Sequence, residues 1–256
     1  MFNTSSNPVL KDKTFDKERA LNSDNVMTIN GTIHKTAILL GIVIIAATYT
    51  WRLFFESPIN SDGTKNIAAI YPWMIGGALG GFAIAIAMMF MKQYAGFLAP
   101  VYAVLEGLFL GAISAVFENM YPGIVMNAVL ATFTTFLIML FTYRSGLIKV
   151  TEKFRSIIIV ATGSIALMYF FSFILRFFGI EMGFMYGSGL MSIGISLVVI
   201  VVAALNLLLD FDFIEKGAAH GTAKYMEWFG AFGILVTLVW LYVEFLRLLA
   251  KLQGRD

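Results

Sequence analysis

The sequence predicts an all-α integral membrane protein, a bundle of seven transmembrane helices. Hydrophobic residues make up 59% of the 256 and charged residues only 13%, about half the charged fraction of an ordinary soluble domain. Seven stretches are long and apolar enough to cross the hydrocarbon core, which takes about 20 helical residues. The alternating polarity of outer-membrane barrel strands is absent, so helices are the remaining way to satisfy backbone hydrogen bonds in lipid.

Loop-forming residues separate the seven predicted spans. A Ser-Pro dipeptide at 57–58 and an Asn-Ser-Asp-Gly run at 60–63 follow the first span, and a Tyr-Pro-Gly run at 121–123 separates the third from the fourth. The spans cover residues 36–53, 67–91, 97–117, 124–143, 156–178, 187–209 and 229–249. This division leaves a polar N-terminal tail at 1–35, a helical domain at 36–250 and a short C-terminal tail at 251–256.

The polar N-terminal tail is too long for the first apolar stretch to be a signal peptide, which would lie closer to Met1. Its composition, rich in Asn, Ser, Lys and Asp, favours a flexible segment. An extended anchor at residues 7–10 is the alternative.

Basic residues predict the orientation of the bundle. With a cytoplasmic N-terminus, twelve of the 18 Lys and Arg residues fall on the inner side and six on the outer side. This bias favours the N-terminus inside and, with seven spans, the C-terminus outside. The basic C-terminal end of the last span opposes that assignment, so a re-entrant seventh segment is the alternative.

Several function classes are excluded by composition. A net charge of +2 gives no electrostatic footprint for nucleic acid. The chain has no cysteine and only two histidines, which argues against a zinc or iron site. It also lacks the motif pair of intramembrane aspartyl proteases and the elbow motif of serine hydrolases. We therefore expect a protein that is not an enzyme and has no resident cofactor.

Small residues predict close helix packing. Gly76, Gly77, Gly80 and Gly81 form two overlapping small-xxx-small pairs on the second span, and Gly107 and Gly111 form another on the third. Glycines let helix backbones approach closely in lipid. Packing is favoured here over a substrate groove.

Charged residues inside the spans are the candidate functional residues, because each needs a partner or a water-filled cavity. Glu106 lies in the middle of the third span with no basic residue in that span. The acids at the helix ends, Asp212, Glu215 and Glu227, are expected to cap helices or reach the interface. Two further pairs share helix faces at i,i+4 and i,i+3, namely Asn206 with Asp210 and Glu244 with Arg247.

The residues alone leave two readings open for Asp210 and Glu244: they could face each other as an acidic pair between helices six and seven, or each could cap a helix end or reach the interface. Two carboxylates close together in a low dielectric cannot both ionise cheaply, so they share a proton. When ionised, such a pair can hold a hard cation such as calcium through its oxygens. A short turn between antiparallel helices would place the two acids at different depths. The depths converge if residues 225–233 lie at the interface.

Four segments carry a family resemblance. Residues 209–216 (Leu-Asp-Phe-Asp-Phe-Ile-Glu-Lys) with His220-Gly221 resemble the end of the sixth helix in the Bax inhibitor-1 superfamily. Residues 240–249 (Trp-Leu-Tyr-Val-Glu-Phe-Leu-Arg-Leu-Leu) resemble its last helix. Residues 7–10 and 102–111 are similar to the bacterial YccA-type branch. Together these segments extend over nearly the whole chain.

The resemblance implies a seven-helix, pH-sensitive calcium leak channel in a bacterial inner membrane. It assigns the proton-sharing pair to Asp210 and Glu244, which are also the possible calcium ligands. The supporting polar residues are then Glu106, Asn206, Asp212 and Arg247. This sequence departs from the family pattern by having Glu as the second acid, a longer connection between the acids, and no charge in the second span.

The resemblance also implies an alternative function. Some YccA-type proteins modulate a membrane-bound quality-control protease, and the polar tail would then engage that protease while the bundle anchors it. The partners expected from the sequence are therefore the lipid bilayer and calcium ions, with such a protease as the alternative partner and no nucleic acid.

Overall fold

A computed structural model describes residues 25–59, 65–179 and 183–254 of the chain. In these ranges the chain forms seven long helices, each long and apolar enough to cross a membrane. They are α1 (Ile29–Phe55), α2 (Tyr71–Phe90), α3 (Ala95–Met120), α4 (Ile124–Arg144), α5 (Glu152–Phe177), α6 (Leu190–Ala219) and α7 (Met226–Gln253). The predicted seven-helix membrane bundle is confirmed.

Short helical turns lead into three of the long helices. Two are 3-10 turns, Ile67–Ala69 before α2 and Lys92–Tyr94 before α3, and Gly183–Tyr186 precedes α6. Pro72 in the first turn of α2 suits a helix start, where a backbone N–H has no helical partner. The described residues contain isolated β-bridges but no strand.

Helix α7 is the centre of the bundle and the most buried of the seven. It packs against α1, α3, α4 and α6, while α2 packs mainly on α3 and α5 mainly on α6. Its 28 residues form one continuous helix, about 42 Å long at 1.5 Å per residue. That length spans a bilayer without a re-entrant segment.

The glycine pairs bring helix backbones into contact, as predicted. A Cβ on Gly107 would lie 2.6 Å from the Val43 carbonyl oxygen of α1, and one on Gly111 would overlap Ala47 and Thr50. A Cβ on Gly77 would lie 2.6 Å from the Leu105 carbonyl oxygen of α3. Gly76 is the exception, since a Cβ there would have no neighbour within 4 Å among the described residues.

The end of the N-terminal segment is ordered and docks on the α6–α7 turn. The Met27 N–H donates to the Thr222 carbonyl oxygen at 2.7 Å, and the Lys224 N–H donates to the Asn25 carbonyl oxygen at 2.9 Å. The Met27 side chain is buried against α6 and α7. Helix α1 already begins at Ile29, so the tail boundary predicted at residue 35 lies too late. Residues 1–24, including the possible anchor at 7–10, lie outside the described residues.

Helix α6 extends ten residues beyond the predicted sixth span, to Ala219. Residues 212–219 were expected to begin the connection, and residues 226–233 were a possible interfacial segment. Both are helical. Hydropathy marks the end of the apolar stretch and not the end of the helix, which continues through charged residues: Asp212 pairs with Lys216 one turn along α6 and Glu215 accepts the Tyr143 hydroxyl.

The odd number of spans gives a direct topology test. Reporter fusions after Lys149, in the α4–α5 connection, and after Gln253, at the end of α7, are expected to report opposite sides of the membrane. Reports from the same side at both positions would contradict a spanning α7.

Candidate functional site

Asp210 lies on α6 at the inner end of a cavity between α5, α6 and α7. Its Oδ2 accepts a hydrogen bond of 2.6 Å from the Thr237 hydroxyl on α7. The cavity has a volume of about 660 Å³ and extends from Asp210 along Gly233 and Lys216 to His220 and Thr222 at the α6–α7 turn. Gly233 faces the carboxylate, since a Cβ there would lie in ordinary contact, 3.6 Å from Asp210 Oδ1.

Asp212 is a structural ion-pair residue near the mouth of that cavity. Its Oδ2 lies 2.6 Å from Arg155 on α5 and 2.8 Å from Lys216 one turn along α6. Arg155 also pairs with Glu152 at 3.1 Å. The expected helix-end role of Asp212 is therefore corrected, since the side chain is 9% exposed and ties α5 to α6.

Glu244 lies in the buried centre of the bundle, on α7, with 1% of its surface exposed. Its Oε1 accepts hydrogen bonds from the Tyr169 hydroxyl at 2.9 Å and from Arg247 at 3.1 Å. Arg247 also stacks over the Tyr169 ring at 5.3 Å. Among the described residues, Glu244 Oε2 is buried and has no hydrogen-bond partner, which is costly for a carboxylate oxygen.

The structure does not bring Asp210 and Glu244 together as the predicted pair. Asp210 lies opposite Thr237, and Glu244 is seven residues further along α7, about 10 Å at 1.5 Å per residue. The depths would have converged only if residues 225–233 had been interfacial, and residues 226–233 are helical. The two acids therefore occupy separate depths, with different partners.

Apolar side chains fill the α6–α7 contact between the two acids. Ala203, Leu207 and Leu241 are fully buried in one core cluster there. The polar exception is Asn206, which lines the Asp210 cavity and donates to Thr162 Oγ1 on α5 and to the Val202 carbonyl oxygen, both at 2.8 Å. Within the described residues, buried apolar side chains therefore separate the two carboxylates.

Glu106 packs against α2 rather than pointing freely into lipid. A Cβ on Gly81 would lie 2.9 Å from Glu106 Oε1, so the absent side chain at Gly81 makes room for the carboxylate. Tyr102 lies one turn earlier on α3, at the i,i−4 position that shares a helix face with Glu106. Glu106 is half-buried and is separate from both Asp210 and Glu244.

Sequence reasoning missed three residues near the two acids, namely Thr237, Lys251 and Tyr169. The spacing of the first two relative to Glu244 was visible in the sequence. Thr237, Glu244 and Lys251 are seven residues apart, which places all three on one face of α7. Lys251 donates to the Met185 carbonyl oxygen and to Ser196 Oγ, both at 2.8 Å. Tyr169 carries no comparable signal, because it reaches Glu244 from α5, 75 positions away.

Metal binding by a preformed cluster is not supported by this geometry. Within the described ranges, no group of three or more His, Asp or Glu residues is close enough to hold a metal ion. A calcium ion in this bundle would meet Asp210 and Glu244 one at a time, with its remaining oxygen ligands supplied by water or carbonyl groups.

A family model described as Bax inhibitor 1 like matches residues 7–254. The matched region includes all seven long helices and both carboxylates of the candidate site. No curated protein matches the chain.

Proposed function

The chain belongs to the Bax inhibitor 1 like family, and we propose that it is a pH-sensitive calcium leak channel of the bacterial inner membrane. In this proposal Asp210 and Glu244 are two successive cation- and proton-binding positions, at different depths along α6 and α7. The N-terminus is cytoplasmic, so a cation entering by the Asp210 cavity comes from the cytoplasmic side or leaves toward it.

The observation that carries the proposal is the unpartnered Oε2 of Glu244. A carboxylate oxygen buried in the bundle centre is stabilised by a proton, a water molecule or a cation. Arg247 neutralises part of the charge on one side through Oε1, leaving Oε2 as the available ligand atom. This arrangement supports binding of either a proton or a cation at the same oxygen.

The Asp210 cavity supports the second position. Two cations line it, but Arg155 and Lys216 are both paired with Asp212. Asp210 is therefore the acid at the inner end without a basic partner among the described residues, and only Thr237 donates to it. A hard cation favours such a carboxylate when it is ionised.

Protons and calcium compete in this mechanism. Protonation removes the charge that attracts the cation, and loss of the proton leaves a negative charge in a low dielectric that draws in water or a cation. The apolar contact at Ala203, Leu207 and Leu241 must separate for an ion to pass. We therefore expect the flux to rise with pH.

The alternative function, modulation of a membrane-bound protease, depends on the polar tail. Residues 1–24 of that tail lie outside the described residues. We propose the cation leak instead because it is supported by Asp210 and Glu244, whose contacts the structure describes.

Calcium flux into liposomes that contain only this purified protein tests the proposal. We expect flux above that of protein-free liposomes, rising from acidic to neutral pH. A Glu56→Gln variant is the matched control, because Glu56 is an exposed carboxylate paired with Arg52 on the surface; its flux should equal that of the unmodified protein. Flux no greater than in protein-free liposomes at every pH would contradict the leak.

A further inference from the structure

Helices α1 and α4 lie side by side around α7 but are separated by two cavities. One, of about 740 Å³, lies toward the α4–α5 connection and is lined by residues of α1, α4, α6 and α7. The other, of about 620 Å³, lies toward the opposite ends of α1 and α4. Both volumes are in the range of ligand-binding cavities, roughly 300–1,000 Å³.

The first cavity has an apolar interior. Ile33, Ala37, Leu40 and Leu140 line its walls, and Ile234 of α7 lies at its floor. Its polar wall groups are already satisfied, since the Thr32 hydroxyl donates to the Thr28 carbonyl oxygen and Thr36 donates to that of Thr32. Ile33 is 52% exposed, so the interior is continuous with the outer, lipid-facing surface of α1.

The mouth of this cavity carries two cations. Arg144 and Lys149 line it, are exposed, and have no ion-pair partner among the described residues. Two carboxylates also line it: Asp212 is neutralised by Arg155 and Lys216, whereas Glu215 accepts the Tyr143 hydroxyl and keeps its negative charge. Among the described residues, two cations and one carboxylate at the mouth have no ion-pair partner, so a net positive charge remains beside the apolar interior.

The second cavity differs in charge. Among the described residues that line it, the one carboxylate or cation is Glu118, which accepts the Gly123 and Val125 N–H groups at the start of α4. Both cavities thus have an apolar interior, but among the described residues only the first has cations at its mouth. This asymmetry is what selects an anionic ligand for the first cavity.

We propose that the first cavity binds an anionic phospholipid, with an acyl chain in the apolar chamber and the phosphate held by Arg144 and Lys149. Because the apolar interior is continuous with the lipid-facing surface, an acyl chain can enter it from the bilayer. The two cations, which have no ion-pair partner among the described residues, account for the preference for an anionic headgroup. Because the chamber is bounded by α1, α6 and the central α7, a lipid there contacts the helices that carry the candidate site. The inference requires only that the bundle spans a membrane, and it is independent of the leak.

Native mass spectrometry of the purified protein titrated with phosphatidylglycerol or phosphatidylcholine tests the proposal. We expect one phosphatidylglycerol to be retained more tightly than phosphatidylcholine by about fivefold, since each surface cation contributes roughly fivefold to anionic lipid binding and Glu215 offsets one of the two. Replacing both Arg144 and Lys149 with Gln should abolish the preference. The charge-matched control is Lys153→Gln with Arg176→Gln, two exposed cations on α5 that do not line the cavity.

The apolar part is tested separately. Ala37→Trp fills the chamber from an exposed position on α1 and should weaken binding of both lipids, whereas soluble glycerol phosphate should not displace the bound lipid. Equal retention of the two lipids, an equal loss of preference in the control pair, unchanged binding in Ala37→Trp, or displacement by glycerol phosphate would each overturn the proposal.

Discussion

Replacing Glu227 with alanine is expected to destabilise the bundle by about 3–5 kcal/mol, the usual effect of removing one partner from a buried ion pair. Glu227 lies in the first turn of α7 with 1% of its surface exposed. It pairs with Lys35 of α1, and its Oε1 accepts hydrogen bonds of 2.9 Å from both the N–H and the hydroxyl of Thr28. The alanine variant leaves a mostly buried lysine and two donors unpaired.

The same carboxylate organises the start of α1. Thr28 is the N-cap of that helix, and its hydroxyl accepts the Gly31 N–H at 2.9 Å while donating to Glu227. A Cβ on Gly31 would overlap the Glu227 carboxylate, so glycine allows this close approach. Through its contacts with Lys35 and Thr28, Glu227 therefore links α1 and the preceding residues to the central helix α7.

Thermal unfolding in detergent measures this effect. Glu56→Ala is the control, since Glu56 forms an exposed i,i+4 pair with Arg52, and exposed pairs contribute little. Glu227→Gln should fall between the two, because the amide oxygen still accepts from Thr28 but the charge is gone. Equal unfolding midpoints for Glu227→Ala and Glu56→Ala would show that the buried pair does not stabilise α1.

The number of helices was predictable because each span is a continuous apolar stretch. The ends of the helices were less predictable. Hydropathy measures how strongly side chains prefer lipid to water, whereas a helix ends where its backbone hydrogen bonding ends. In α6 the helix continues through Asp212 and Lys216, which pair one turn apart. That continuation determines the depth of Asp210 relative to α7.

Long-range pairing accounts for what the sequence did not reveal. Glu227 was expected at the interface as a helix-end residue; it does lie in the first turn of α7, but its side chain is buried in a contact with α1. Its partners Lys35 and Thr28 are 192 and 199 positions away, and no local spacing indicates such contacts. Asp210 and Glu244 were singled out correctly as acids inside spans, but their separation depended on how α6 and α7 are joined.

The separation of these acids leads to the second large prediction. Asp210→Asn and Glu244→Gln are each expected to lower calcium flux at neutral pH by about tenfold, which corresponds to roughly 1.4 kcal/mol of lost cation stabilisation. Both substitutions preserve shape and hydrogen-bonding capacity, so Thr237, Tyr169 and Arg247 keep a partner. Each variant should also show a weaker dependence of flux on pH than the unmodified protein.

The two carboxylates should act independently. Substitutions more than about 7–10 Å apart with no shared partner are usually additive. Asp210 and Glu244 share no hydrogen-bond partner among the described residues, and apolar residues fill the helix contact between them. A pair sharing one proton would behave differently, because removing either acid would already abolish its function.

The most direct measurement is therefore calcium flux across pH for a double-mutant cycle in liposomes, with Asp210→Asn, Glu244→Gln and the double variant compared at equal protein content. Two separate binding positions predict a reduction of about 100-fold in the double variant, the product of the single effects. A double variant no worse than either single variant would show that the two carboxylates work as one proton-sharing pair, in a conformation other than the one described.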